Sequence, residues 1–223
     1  MSVARRATGA VGEVLITAGV LVLLFLVYQL VWTNLQADRA AEAKTDGLIE
    51  TWERASRTGP EFDRPLPKGQ AFALLYIPRL GDDFRVPIVQ GVRLEDLAAG
   101  VGHYPATALP GRIGNFAVAG HRATNGEPFA ALDQVRAGDA VVVETRTTWY
   151  TYTVTKEYIV PPTQVEVILP VPNEPDAEPK RALMTLTTCN PRWASYERLI
   201  FHARLTETLP KGEGRPAALG GGA

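Results

Sequence analysis

Apolar and polar residues follow three different patterns along the chain. Residues 14–32 form a run of 19 positions without a charge, close to the ~20 that an α-helix needs to span a bilayer. Residues 36–57 carry apolar side chains at helical spacing. Residues 70–206 contain short alternating apolar and polar stretches separated by glycine and proline, which is typical of strands. The pattern therefore predicts an apolar helix, a second helix and a β-rich body.

The β-rich body is predicted to contain at least seven strands and little helix. The candidate strands are residues 71–77, 86–89, 115–120, 140–144, 149–159, 183–189 and 199–205. Residues 94–99 are compatible with one or two helical turns. Many short strands with Gly and Pro between them, and no regular helices in alternation, predict a mainly all-β closed barrel or sandwich.

The apolar run predicts a single-pass membrane anchor. Tyr28 and Trp32 stand at its far end, where aromatic side chains favour the headgroup region. A cleaved signal peptide is the alternative, because Ala41 and Ala43 have the small-residue spacing of a cleavage site. The run is longer than the usual apolar region of a signal peptide, which favours an uncleaved helix.

The orientation of this anchor depends on a small difference in positive charge. Arg5 and Arg6 precede the run, while Arg39 and Lys44 follow it, so a cytoplasmic N-terminus is favoured only slightly. With the body outside the cell, the predicted plan is a cytoplasmic tail (1–13), a transmembrane helix (14–33), an extracellular stalk and linker (34–69), a catalytic barrel (70–207) and a disordered tail (208–223).

Composition narrows the possible functions. The formal net charge is −1, so no electrostatic argument supports nucleic-acid binding. The chain has one cysteine, Cys189, and an exported body with one cysteine cannot form an internal disulfide, so this thiol calls for another reason. Asp82 and Asp83 are adjacent, without an Asp-x-Asp spacing, and we predict neither a metal nor a cofactor.

Cys189 is the first candidate for chemistry. It ends the predicted strand 183–189, where a side chain is held rigidly yet reaches an open surface. Arg198 begins the neighbouring strand nine residues later, so a thiol and a guanidinium meet at one sheet edge. This arrangement favours a thiolate nucleophile beside a fixed cation. A buried cysteine acting as a small hydrophobic residue is the alternative.

The three histidines are candidate bases for this thiol. His121 directly follows the strand 115–120, and Gly120 before it leaves room for a close approach. His103 lies in a predicted loop and His202 in mid-strand among polar neighbours. We therefore rank His121 above His103 and His103 above His202, with an ordinary turn histidine as the alternative for His121.

Three motifs in order then resemble those of the sortases, membrane-anchored cysteine transpeptidases of the Gram-positive cell envelope. They are AGHR around His121, TLTTC ending at Cys189, and YERLI around Arg198. Together with GHYPATALPGRIGNFAVAGHR, they are most similar to the class E housekeeping sortases. The resemblance covers about residues 71–205 and implies a closed β-barrel of about eight strands with short helices, preceded by a transmembrane helix and a stalk.

The resemblance also implies roles for these residues. Cys189 would attack the Thr carbonyl of an LAxTG- or LPxTG-type sorting signal, and His121 would protonate the departing amine of the next Gly. Arg198 would bind the substrate backbone and the developing oxyanion. The implied partners are surface proteins with C-terminal sorting signals and an amine of the peptidoglycan precursor.

Residues that choose the substrate are expected beside the catalytic ones. Tyr104 in GHYP matches a tyrosine associated in class E with LAxTG, since its phenol can bind a backbone amide that alanine has and proline lacks. A tyrosine packed under a loop is the alternative. Thr187, Thr188 and His103 are further substrate-binding candidates.

Three other functions remain as alternatives. A pilin-polymerising sortase would use a lysine side chain as the nucleophile. A non-catalytic envelope β-domain would bind peptide without cleaving it. A papain-like protease is disfavoured because the chain lacks its Cys-Gly-x-Cys-Trp run and has the histidine before the cysteine.

Overall fold

The computed structural model describes residues 3–55 and 61–220. Parts of the predicted tail, stalk and C-terminal segment (residues 1–2, 56–60 and 221–223) lie outside these ranges. The helices are α1 (Val3–Val27), a π-helical segment (Tyr28–Trp32), α2 (Thr33–Arg54) and α3 (Leu94–Leu97). The strands are β1 (Ala71–Tyr76), β2 (Arg85–Gln90), β3 (Val101–His103), β4 (Gly114–Ala119), β5 (Ala140–Glu144), β6 (Thr148–Val160), β7 (Ala182–Asn190) and β8 (Glu197–Pro210).

These eight strands form a closed barrel in the order β1-β2-β3-β4-β7-β8-β6-β5. The β2–β3 and β4–β7 pairs are parallel and the others antiparallel. The predicted fold class is thereby confirmed. Strand β3 was not among the predicted strands, because its three residues are too few to show an alternating pattern.

The alternation along β7 and β8 decides which residues face the core. Met184 and Leu186 of β7, and Leu199 and Phe201 of β8, are buried in the main apolar cluster inside the barrel. Since successive side chains point to opposite faces of a strand, Cys189 lies on the outer face of β7. The candidate nucleophile therefore lies outside the core, on the outer surface of the barrel.

Helix α2 packs against the outside of the barrel. Its Leu48 is buried in a second apolar cluster with Leu74 of β1, Val142 of β5 and Trp149 of β6. The Nζ of Lys44 donates a hydrogen bond to the carbonyl of Gly69. The segment predicted as a stalk thus contributes a face to the folded body, because its helical stripe of apolar residues finds a complementary sheet face.

Residues 208–220 also lie against the body. Ala218 and Leu219 pack onto the cluster around Leu48, and the ammonium of Lys211 lies 4.5 Å from the ring centroid of Trp52. The composition of this segment predicted a disordered tail. However, residues 208–210 also continue β8 against β6, and Lys211 forms an ion pair with Glu144; low apolar content does not reveal these contacts.

The N-terminal helix carries a candidate membrane span at Thr8–Val27. This span has 20 residues with a mean hydropathy of 2.5, and none of it is buried against the rest of the described chain. Length and apolar exposure together meet the requirement for crossing a bilayer.

Candidate active site

Cys189 and Arg198 are partners in the antiparallel register of β7 and β8. Directly opposite residues in such a pair project from the same face of the sheet. Cys189 is half-buried. The sequence prediction that a thiol and a guanidinium meet at one edge therefore agrees with the register.

His121 follows β4, which pairs in parallel with β7 so that Ala119 stands beside Thr187. The pairing continues past the strand end, because the N–H of Gly120 donates to the carbonyl of Thr187 at 3.1 Å. The same register, continued by two residues, sets His121 beside Cys189 on the outer face. The residues that carry the imidazole, the thiol and the guanidinium thus lie at the ends of three adjacent strands, β4, β7 and β8.

Gly120 is required at this point for a packing reason. A Cβ on Gly120 would lie 2.6 Å from the Phe129 ring, and Phe129 is fully buried. The N–H of Phe129 in turn donates to the carbonyl of His121 at 3.0 Å. The chain around His121 is therefore anchored to the core from behind.

The imidazole of His121 has a ring nitrogen that is unpartnered within the described part of the chain. Its Nε2 is buried and makes no hydrogen bond within residues 3–55 and 61–220. Unsatisfied buried polar atoms are rare in folded proteins and call for an explanation. Burial lowers the pKa of His121, which favours a neutral imidazole able to accept a proton at neutral pH.

The guanidinium of Arg198 is oriented by its own loop. One terminal nitrogen donates to the carbonyls of Ser195 at 2.7 Å and Glu197 at 2.8 Å. A planar guanidinium has five donor hydrogens, so this anchoring leaves others to bind an anionic oxygen. Arg198 thus supplies a guanidinium cation opposite Cys189 in the strand pair.

Arg122 is a second cation at the site, and sequence reasoning missed it. It is 6% exposed, and its Nη1 donates to Oδ1 of Asn190 at 2.6 Å and to the carbonyl of Cys189 at 3.5 Å. Its Nη2 lies 3.2 Å from a carboxylate oxygen of Asp133. An arginine directly after the candidate histidine at a buried strand end was the signal that could have found it.

Tyr104 lies beside the wall that carries the thiol. Its hydroxyl is 3.5 Å from Oγ1 of Thr187, which precedes Cys189 by two residues and therefore shares its face. Val167 and Ile200 form a small apolar cluster further along this outer face. Tyr104 and Thr187 thus lie close together on the side of the wall that carries the thiol, whereas Val167 and Ile200 are buried.

Two predicted substrate contacts need correction. His103 is 1% exposed and hydrogen bonds with Gln90 and with the carbonyl of Ala108; burial lowers its pKa to about 4. Thr188 points into the barrel and donates to the carbonyl of Gly120 at 2.8 Å. Both residues hold the strands that carry the site, because period-2 alternation turns them toward the interior.

His202, ranked third among the histidines, serves a buried polar network. Its Nε2 lies 2.6 Å from the hydroxyl of Tyr158, and its Nδ1 lies 2.9 Å from Oγ1 of Thr185. Thr185 donates to Asn115, whose amide donates to the carbonyl of Leu169 at 3.0 Å. This network ties the connection between β6 and β7 to the barrel wall.

Among the residues that the structure describes, no group of three or more His, Cys, Asp or Glu side chains is arranged to hold a metal ion. The groups present at these strand ends are a thiol, an imidazole and a guanidinium. Each comes from a different strand end, and each is supported by hydrogen bonds or packing behind it.

The chain is similar to known proteins over most of its length. A family model described as the sortase domain matches residues 75–206, which is more than half of the chain. The chain belongs to the sortase family. Sortases are cysteine transpeptidases, and Cys189 is the chain's one cysteine.

The similar sortases include class E members. Sortase SrtE1 of Streptomyces coelicolor is 38% identical over 96% of this chain, and the chain spans 61% of the length of that relative. Sortase E of Streptomyces avermitilis is 47% identical, with a TM-score of 0.63, over 69% of this chain and 99% of the solved chain. Sortase E1 of S. coelicolor, solved with a tripeptide in its active site, is 38% identical, with a TM-score of 0.63, over 69% of this chain and 99% of the solved chain.

Proposed function

We propose that this chain is a membrane-anchored transpeptidase with its barrel on the outer face of the cell membrane. It cleaves an LAxTG- or LPxTG-type sorting signal between Thr and Gly and joins the Thr carbonyl to an amine of the peptidoglycan precursor. The observation that carries the proposal is the pairing of Cys189 with Arg198, with His121 continued alongside by the β4–β7 register.

The acylation step begins with the transfer of the thiol proton of Cys189 to His121. The sulfur then attacks the Thr carbonyl carbon, and the oxyanion that forms is stabilised by Arg198. When the tetrahedral intermediate collapses, the Thr–Gly C–N bond breaks and His121 gives its proton to the departing Gly amine. The product is a thioester between Cys189 and the Thr carbonyl.

The second step resolves the thioester. The acceptor amine attacks the thioester carbonyl and loses a proton to His121, after which the C–S bond breaks and the sulfur takes the proton back. A new amide replaces the old one, so no net oxidation or reduction occurs. The low pKa of His121 supports this role, because a neutral imidazole is needed to receive each proton.

Membrane anchoring is supported by α1. The segment Thr8–Val27 is long and apolar, with all of its length exposed in the folded chain. An anchor of this kind keeps the barrel near substrates that are themselves held at the membrane. The solved S. coelicolor sortase E1 with a tripeptide in its active site supports a peptide as the ligand of the candidate active site.

The test is intact-protein mass spectrometry of the full chain with an LAETG peptide. The expected result is an adduct equal to the acyl part of the peptide through its Thr, replacing the thiol hydrogen. Cys189→Ala should form no adduct and release no Gly fragment while still binding the peptide. Peptide cleavage by Cys189→Ala, or binding without any turnover by the unaltered protein, would instead indicate a non-transpeptidase function.

A further inference from the structure

The connection between β4 and β5 touches α2 at its first turn. The N–H of Gly126 donates to Oδ1 of Asn34 at 3.2 Å, and the Nδ2 of Asn34 donates to a carboxylate oxygen of Glu127 at 3.3 Å. A Cβ added to Gly126 would lie 3.1 Å from the Cβ of Ala37. The backbone of this connection therefore lies directly on the helix.

This contact lies very near the end of the apolar span. Asn34 is two residues beyond Trp32, where the uncharged run of residues 14–32 ends, and an α-helix rises 1.5 Å per residue, which makes about 3 Å. The interfacial layer on each side of the hydrocarbon is roughly 5–8 Å thick. With α1 in a bilayer, the β4–β5 connection is thus at the headgroup layer.

The same connection is joined to the loop between β7 and β8. Arg192 of that loop forms an ion pair of 2.8 Å with Glu127, and its guanidinium lies 5.0 Å from the ring centroid of Trp193. Trp193 and Tyr196 are 70% and 68% exposed. Both are amphipathic aromatic residues, the type that accumulates at membrane–water interfaces.

We propose that Trp193 and Tyr196 rest in the lipid headgroup layer. They would hold the strand ends that carry His121, Cys189 and Arg198, here called the rim, against the membrane surface. The occupant of this aromatic surface is the lipid bilayer itself. The inference rests on the proposed function in one respect, that α1 spans the membrane. The β7–β8 loop connects Cys189 to Arg198. The candidate active site then opens at the membrane plane, where a membrane-tethered substrate enters from the side.

The test measures the lipid exposure of single tryptophans in the full chain. The protein has four, at positions 32, 52, 149 and 193. Full-length protein, Trp193→Phe and Trp52→Phe are reconstituted into phosphatidylcholine vesicles with or without brominated acyl chains. The difference between parent and variant emission isolates each tryptophan. Trp52 is the matched control, because it lies 18 residues beyond Asn34 on α2, about 27 Å further from the bilayer.

The expected result is that bromolipid quenches at least half of the Trp193 emission and leaves the Trp52 emission unchanged. Aqueous iodide should have little effect on Trp193. Asn34→Ala, which removes both hydrogen bonds to the β4–β5 connection, should reduce the bromolipid quenching of Trp193. Emission from Trp193 that iodide quenches and bromolipid does not would overturn the inference.

The same samples separate this inference from the proposed function. Vesicle flotation reports the anchor, and the acyl adduct with a soluble LAETG peptide reports the chemistry. Protein that floats with vesicles and forms the adduct, but keeps Trp193 in water, overturns only the membrane-resting rim. Protein that does not float overturns both the anchor and the rim, while adduct formation still reports on the transpeptidase chemistry.

Discussion

The guanidinium of Arg122 donates a 2.6 Å hydrogen bond to the side-chain oxygen of Asn190, the residue that directly follows Cys189. The same nitrogen reaches the carbonyl of Cys189 itself. Arg122, which follows the candidate base, thus holds Asn190, which follows the candidate nucleophile. This cross-link joins the ends of two parallel strands, β4 and β7.

Replacing Arg122 by lysine should impair catalysis through positioning. A point ammonium cannot bind Asn190 and Asp133 at once as the planar fork does, so we expect kcat to fall about tenfold, or about 1.4 kcal/mol, with little change in KM. Steady-state kinetics on the LAETG peptide check this. Arg136→Lys, at a mostly exposed side chain, is the control and should retain full activity. A rise in KM at constant kcat would argue for a substrate contact instead.

Replacing Arg198 by lysine should have a larger effect than the change at Arg122. Loss of one preorganised oxyanion donor typically lowers kcat by about 10²–10³, and the ammonium lacks the geometry to serve both the loop carbonyls and the oxyanion. Adduct formation rates by rapid-quench mass spectrometry measure the step directly. Arg204→Lys, an exposed residue of the same strand, serves as the matched control. Near-normal acylation by Arg198→Lys would remove this residue from the site.

Tyr104→Phe should narrow the preference between LAxTG and LPxTG peptides. The hydroxyl near Thr187 is positioned to accept from a backbone amide that the proline peptide lacks. A hydrogen bond contributes about 1 kcal/mol, so the ratio of kcat/KM values should change about fivefold. Paired kinetics with LAETG and LPETG peptides provide the measurement. An unchanged ratio would assign Tyr104 to packing alone.

Leu48→Ala should destabilise the folded body. Leu48 is 8% exposed and packs on β1, β5 and β6, and truncating a buried leucine typically costs 2–5 kcal/mol. Urea unfolding followed by tryptophan emission measures the loss. Leu94→Ala, at an 80% exposed leucine, should change the free energy of unfolding by less than ~0.5 kcal/mol. Equal effects of the two variants would show that α2 does not stabilise the barrel.

Acid should destabilise the protein through its buried histidine His103. Burial lowers its pKa from 6.5 to about 4, so between these values the unfolded chain binds a proton that the folded chain does not. Stability is therefore highest above pH 6.5 and falls as the pH drops toward 4, by up to about 3 kcal/mol for this group.

Urea unfolding at a series of pH values, with His103→Gln for comparison, tests this pH dependence. The variant is expected to be less stable at neutral pH, because a buried hydrogen-bonded ring is replaced. Its stability should nevertheless fall less steeply between pH 6.5 and 4. A slope as steep as that of the parent protein would attribute the acid sensitivity to other groups, among them His202, whose pKa burial also lowers to about 4.

Local periodicity was enough to predict much of the barrel and the core of the candidate site. The alternation around Cys189 placed it on the face opposite Met184 and Leu186, and the structure has this arrangement. Arg198 follows Cys189 by only nine residues, so the strand that begins there was expected to pair with the strand of Cys189 as in a hairpin. Both inferences depend on backbone geometry between neighbouring residues, which the order of side chains encodes directly.

Other features depended on which distant surfaces meet. The loop placement expected for His103 failed because a three-residue strand and the rings of Phe72 and Phe116 enclose it. The partnership of Arg122 with Asn190 joins residues 68 positions apart, through a parallel pairing that no local pattern signals.

The sequence by itself determined the apolar span, the β-rich body and a thiol, an imidazole and a guanidinium at strand ends. Only the tertiary structure decided that α2 packs on the barrel, that Arg122 hydrogen bonds to Asn190 beside the thiol, and that the β4–β5 connection contacts the first turn of α2. The physical reason is range: hydrophobic alternation acts between adjacent residues, whereas burial and register between distant segments are decided only when the barrel closes.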